Sequence, residues 1–152
     1  MDKKIITRGS GETEILGSEF SKKLKVGDVI LLFGELGAGK TTFVKGVAEG
    51  LGITERIASP TFVLLRSHRV NRNNIKNLNH VDLYRIEKPQ ELESLGLPEI
   101  IEQEGSVTII EWADRLLDFN LKKSLSSGGQ VYRIYFKHLN RGQREITIES
   151  YG

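Results

Sequence analysis

The chain has 152 residues, 22 of them Lys or Arg and 20 Asp or Glu, and it has no cysteine. This length predicts one domain, 1–152, with a core large enough to fold without covalent staples. The missing cysteines exclude disulfides, thiol catalysis and thiolate-bound metals, and a net charge of +2 argues neither for nor against a nucleic-acid partner.

The first residues, Met1 to Arg8, hold no apolar run of signal-peptide length, and no later segment approaches the length of a membrane span. A cytoplasmic protein is the expectation. Ile5-Ile6 predicts a short edge strand. Ser10 is a candidate cap for a helix running to about Leu24, with Leu16, Phe20 and Leu24 on one face. Lys25 to Asp28 turns the chain into Val29-Ile30-Leu31-Leu32-Phe33, an apolar run that reads as a buried strand.

Directly after that strand, Gly34 to Thr42 read G-E-L-G-A-G-K-T-T, which satisfies the pattern G-x-x-x-x-G-K-[ST]. Each residue type has a physical task. Glycines let the backbone turn and bring its N–H groups close to phosphate oxygens. Lys40 would place an ammonium on terminal phosphates, and the Thr41 hydroxyl would hold Mg²⁺. Phe43, Val44, Val47, Ala48 and Leu51 follow at helical spacing, and Gly52 marks the stop. The order strand, glycine-rich loop, helix is the setting a phosphate site needs, since the helix points its positive end at the anion.

Further along, Thr61 to Val70 is strand-like. Asn71 to Asn77 is polar and rich in asparagine, and predicts an exposed loop joining a hairpin to a strand over Leu78 to Tyr84. Pro89 to Leu95 and Pro98 to Gln103 predict two short helices, each with proline in its first turn. Val107 to Ile110 predicts a buried strand ending at Glu111. Ser126 to Gly129 is a flexible turn, and Val131 to His138 with Glu145 to Ser150 alternate like an antiparallel hairpin. The mixture predicts an α/β fold of the P-loop NTPase kind: a mostly parallel central sheet flanked by helices, with antiparallel strands added.

A phosphate loop alone leaves Mg²⁺ short of ligands, and an acid at the end of a neighbouring buried strand usually completes the site. Glu111 and Asp82 are both candidates; each also reads as a plain strand-end acid. Trp112, the only tryptophan, is either core packing or a wall of the site. Ser59-Pro60-Thr61-Phe62 is either a simple turn or a hydroxyl-bearing segment that senses the terminal phosphate. His80 alone reads as structural. Arg66, His68, Arg69, Arg72 and Lys76 surround one loop and read as a solvated face.

Taken together, G-E-L-G-A-G-K-T-T-F, S-P-T-F, H-V-D-L-Y-R, E-L-E-S-L-G-L and I-I-E-W-A-D, in that order, closely resemble the TsaE (YjeE) family from about Thr13 to Arg144. The resemblance implies a small ATPase of bacterial tRNA threonylcarbamoyladenosine biosynthesis. It implies that Lys40 and the loop residues Glu35, Leu36, Gly37, Ala38, Gly39, Thr41 and Thr42 bind ATP, with Thr13 and Arg144 also touching the nucleotide. Thr41 and Glu111 would then ligate Mg²⁺, Ser59 to Phe62 would be a switch segment, and Trp112 would lie beside the site. Asp82 would organise the attacking water as a catalytic residue with Lys40. The implied partners are TsaB and TsaD, with tRNA reached through them. Two rival classes are a small-molecule P-loop kinase, for which the Arg66–Lys76 stretch would serve as a lid, and a nucleotide-gated adaptor that does not hydrolyse.

Overall fold

The computed structural model describes residues 2–35, 37–57, 65–116 and 129–151. An edge strand, β1 (Lys3–Thr7), leads to helix α1 (Ser10–Ser21). Strand β2 (Val29–Phe33) runs into the glycine-rich loop and helix α2 (Lys40–Gly50). Strands β3 (Leu65–Arg72) and β4 (Ile75–Asp82) form a hairpin, followed by the short helices α3 (Pro89–Leu95) and α4 (Leu97–Glu102). Strand β5 (Ser106–Glu111) and a 3₁₀ turn at Ala113–Leu116 come next, then β6 (Val131–His138) and β7 (Arg144–Tyr151).

The described strands join one sheet in the order β1-β7-β6-β2-β5-β4-β3. β2 pairs in parallel with β5 and β6, and β4 pairs in parallel with β5. The outer pairs β1–β7, β6–β7 and β3–β4 are antiparallel. This is the predicted α/β sheet, with a parallel centre and antiparallel additions.

β2 is apolar throughout because both of its faces are covered. Ile30 and Leu32 pack with Phe20 of α1 and Phe43, Val44 and Val47 of α2. Val29 and Leu31 pack on the other face with Leu83, Leu92, Leu97 and Ile101, around α3 and α4. Each such side chain, taken fully out of water, contributes about 1.5–3 kcal/mol, so the central strands hold the sheet between its helical layers. α1 and α2 cross closely: a methyl on Gly46 would collide with the Glu14 carbonyl, and one on Gly17 with that of Phe43.

Several expectations change in detail. Ser10 is the first helical residue rather than the cap; Gly9 takes the cap position, and the Glu12 carboxylate accepts the Arg8 N–H at 3.3 Å. The predicted loop over 71–77 shrinks to a two-residue turn. Asn73 and Asn74 both adopt left-handed backbone, φ 52° and 66°, which asparagine tolerates and a tight hairpin requires. Ile75 is then free to bury against the core, so polar neighbours concealed the start of β4. The strand expected at Thr61–Val70 continues to Arg72, while 61–64 lie outside the described residues, as do 126–128 of the expected turn. No described helix is long and apolar enough to cross a membrane.

The pairing also fixes the site. Glu111 stands opposite Leu32 on one side and Asp82 on the other. The carboxyl ends of β2, β5 and β4 therefore meet where the glycine-rich loop leaves the sheet, the usual place for a ligand in a parallel α/β fold.

Candidate functional site

The loop after β2 turns through left-handed backbone at Gly37 and Gly39, φ 79° and 103°, which a side chain would strain. Gly39 occupies the cap position just before α2. Thr13 and Arg144 flank it: a Cβ there would lie 3.5 Å from Arg144 Nε and 3.6 Å from Thr13 Cγ2. Two elements far apart in sequence thus converge on the loop. Thr13 is buried, with its hydroxyl 2.7 Å from that of Thr7 and donating to the Gly9 carbonyl at 3.2 Å. Arg144 donates to the Gly142 carbonyl at 2.7 Å. Glu35 and Gly37 are exposed at the loop tip, Ala38 is buried, and Thr42 is half-buried. Leu36 lies outside the described residues, and so do Ser59, Pro60, Thr61 and Phe62.

Lys40 opens α2 with only 4% of its surface exposed. Its ammonium donates to the Gly34 carbonyl and sits 3.6 Å from the centroid of the Trp112 ring. Burial pushes its pKa below the usual lysine value, while the charges of Glu111, Asp114 and Asp82 pull the other way. A buried cation held by a carbonyl and an aromatic face is ready for an anionic partner.

Thr41 donates its hydroxyl to Glu111 Oε1 at 3.0 Å, joining residues 70 apart in the chain. Glu111, 2% exposed, is the last residue of β5. Its other oxygen, Oε2, lies 2.5 Å from Nε2 of His80. Asp82 ends β4, buried, and its Oδ1 accepts the Tyr84 N–H at 2.9 Å. Directly after Glu111, Trp112 takes left-handed backbone, φ 57°, and its ring rests against Tyr84 with centroids 5.0 Å apart.

The donor set fits two ligands at once. Free N–H groups in the first turn of α2 and the Lys40 ammonium suit phosphate oxygens. The Thr41 hydroxyl and the Glu111 carboxylate suit a hard divalent cation. Among the described residues no three His, Asp or Glu side chains cluster into a metal cage. A cation of the Mg²⁺ kind takes one or two protein oxygens and fills its shell from phosphate and water.

The basic cluster does not form a lid. Arg66 and Arg69 are exposed on β3, and buried His68 bonds Glu55 through Nδ1. Arg72 donates to the Gly50 carbonyl at 2.7 Å, at the far end of α2. Ten residues of helix put that point roughly 15 Å from Lys40. His80, which on its own reads as structural, is in contact with Glu111. Its signal was the register of H-V-D: on a strand, positions two apart share a face, so His80 points the same way as Asp82.

Residues 7–146 match the family model described as threonylcarbamoyl adenosine biosynthesis protein TsaE. The tRNA threonylcarbamoyladenosine biosynthesis protein TsaE of Bacillus subtilis is 39% identical over 141 residues, covering 93% of this chain and 81% of that protein. The protein of the same name from Nostoc is 46% identical over 116 residues, 74% of this chain and 69% of the relative. That of Treponema pallidum is 34% identical and covers 95% of this chain and 98% of its own length. The crystal structure of Bacillus subtilis YdiB superposes with a TM-score of 0.74 at 32% identity, covering 100% of this chain and 87% of that one. The chain therefore belongs to the TsaE family of tRNA threonylcarbamoyladenosine biosynthesis proteins.

Proposed function

We propose that the chain is a cytoplasmic, Mg²⁺-dependent ATPase that supports threonylcarbamoyladenosine modification of tRNA by acting on a complex of TsaB and TsaD. The observation that carries the ATPase reading is the Thr41 Oγ1–Glu111 Oε1 contact at 3.0 Å beside the buried Lys40 ammonium. It sets a hydroxyl and a carboxylate where a cation bound to phosphates would need them. The pathway assignment rests on the family.

The residues divide the work. Lys40 and the N–H groups of Gly37 to Thr42 bind the phosphates, with Thr13 and Arg144 closing around Gly39. Thr41 and Glu111 would hold Mg²⁺, which neutralises developing charge on the phosphate oxygens. Asp82 is held by the Tyr84 N–H at the end of β4; it orients and deprotonates the attacking water. Before ATP binds, Trp112 covers Lys40 and excludes solvent from it. Catalysis of this kind is mostly positioning and charge stabilisation.

A cationic group supplied by a partner can raise the rate of such a site roughly 10³–10⁵-fold. Phosphate release from ATP is therefore measured with the chain alone and with TsaB, TsaD and tRNA added. Slow release alone and faster release in the mixture support the reading. Equal rates would contradict the role of the partners, and phosphate transfer to a metabolite rather than to water would favour a kinase.

A further inference from the structure

Resting on the Mg²⁺–ATP reading above, we propose that His80 is a positioning residue that orients the Glu111 carboxylate and reserves one of its oxygens for the Thr41–cation side of the site. The two oxygens of Glu111 face different partners. Oε1 accepts from Thr41 at 3.0 Å, toward the loop. Oε2 is 2.5 Å from His80 Nε2, inside the sheet. His80 is 0% exposed and the Glu111 side chain 3%, so water does not compete for the bond between them.

An ionised carboxylate can only accept hydrogen bonds. Nε2 of His80 therefore carries the proton and donates it. Nδ1 has no partner among the described residues, so nothing described selects the opposite tautomer. The backbone supports the same arrangement. β4 and β5 are paired in parallel with His80 opposite Ile109 and Asp82 opposite Glu111. His80 thus reaches the carboxylate diagonally from the adjacent strand, and Asp82 lies beside it.

A carboxylate fixed at one oxygen cannot swing its other oxygen out of the site. It presents a single, pre-oriented acceptor to the cation. A histidine that only filled space would need no contact with Glu111, and an apolar residue of similar size would serve as well.

The test separates metal affinity from nucleotide affinity. Binding of a non-hydrolysable ATP analogue is followed by calorimetry, first in EDTA and then across a Mg²⁺ titration. The proteins are the wild type, His80→Gln, His80→Asn and Glu111→Gln. The glutamine amide reaches the position of Nε2, whereas the asparagine amide reaches only that of Nδ1. Loss of a group that orients a metal ligand typically costs roughly 10–100-fold in metal affinity. We expect His80→Asn to raise the Mg²⁺ concentration for half-effect by that factor, His80→Gln to stay within a few-fold of wild type, and the affinity in EDTA to be unchanged in both.

A normal Mg²⁺ response in His80→Asn, or an equal loss of affinity in EDTA, would overturn the proposal. So would a folded His80→Gln that lost the metal response, which is the deciding variant should His80→Asn not fold. If Glu111→Gln loses the response while His80→Asn keeps it, the inference on His80 fails and the Mg²⁺–ATP reading stands. If the wild type itself shows no Mg²⁺ response, both fail.

Discussion

The ammonium of Lys40 rests on the face of Trp112, 3.6 Å from the ring centroid, and donates to the Gly34 carbonyl. The loop lysine is thus held inside the protein before any phosphate arrives. Binding exchanges a carbonyl and a ring for phosphate oxygens. Trp112, the only tryptophan, then loses a cation from its face, and its emission should change when ATP binds. Saturation by ATP, shown by calorimetry, with no change in emission would contradict this.

Lys40→Ala should weaken ATP binding by about 10–150-fold, because a hydrogen bond to a charged group contributes about 1.5–3 kcal/mol. Titration calorimetry measures it directly. No second lysine among the described residues touches Gly34 or Trp112 to replace it.

The pH dependence of metal-free ATP binding follows from the same group. Burial lowers the Lys40 pKa from 10.5 in spite of the opposing pull of Glu111, Asp114 and Asp82. The ammonium is the binding form, so affinity is full below the folded pKa and falls as pH rises through it, earlier than for an ordinary lysine. The effect on stability has the opposite sign. Between the two pKa values the unfolded chain holds the extra proton, so Lys40 adds stability to the empty protein as pH rises there. Calorimetry in EDTA from pH 7 to 10.5 checks the first statement; a flat affinity profile over that range contradicts it.

Asp82→Asn keeps an acceptor for the Tyr84 N–H but removes the charge. ATP affinity should remain within a few-fold, while phosphate release falls by roughly 10²–10⁴, the usual contribution of a general base. Loss of binding instead would mean that Asp82 shapes the site rather than acting in it.

Gly46→Ala tests the crossing of α1 over α2. In an open helix, alanine would add up to about 1 kcal/mol over glycine. Here the new methyl meets the Glu14 carbonyl, a backbone atom that cannot rotate aside, and overpacking costs about 1–3 kcal/mol. The clash should win, and urea unfolding should show a less stable protein. A more stable variant would mean that the helices separate easily.

Local patterns were readable in proportion to how local their causes are. The glycine-rich loop, the apolar face of α2 and the prolines of α3 and α4 are set by neighbouring residues, and they stand where the sequence placed them. The acid ending β5 was legible as a candidate, but its choice over Asp82 as the partner of Thr41 depends on β5 being the strand beside β2, a non-local fact. Asn73-Asn74 shows the opposite failure: a polar run looked like a long loop, although two left-handed residues suffice to reverse the chain. The Lys40–Trp112 contact depends on positive φ at a bulky residue, which no sequence pattern announces. His80 was readable only by combining strand alternation with the strand pairing.

The central claim is that one loop grips the phosphates while Thr41 and Glu111 share the metal. A crystal structure with Mg²⁺ and a non-hydrolysable ATP analogue tests it most directly. The account predicts the phosphates on the amides of residues 37–42, Mg²⁺ about 2.1 Å from Thr41 Oγ1, and Glu111 bound to it directly or through one water. Phosphates seated away from the loop, or a Glu111 side chain turned from the metal, would contradict it.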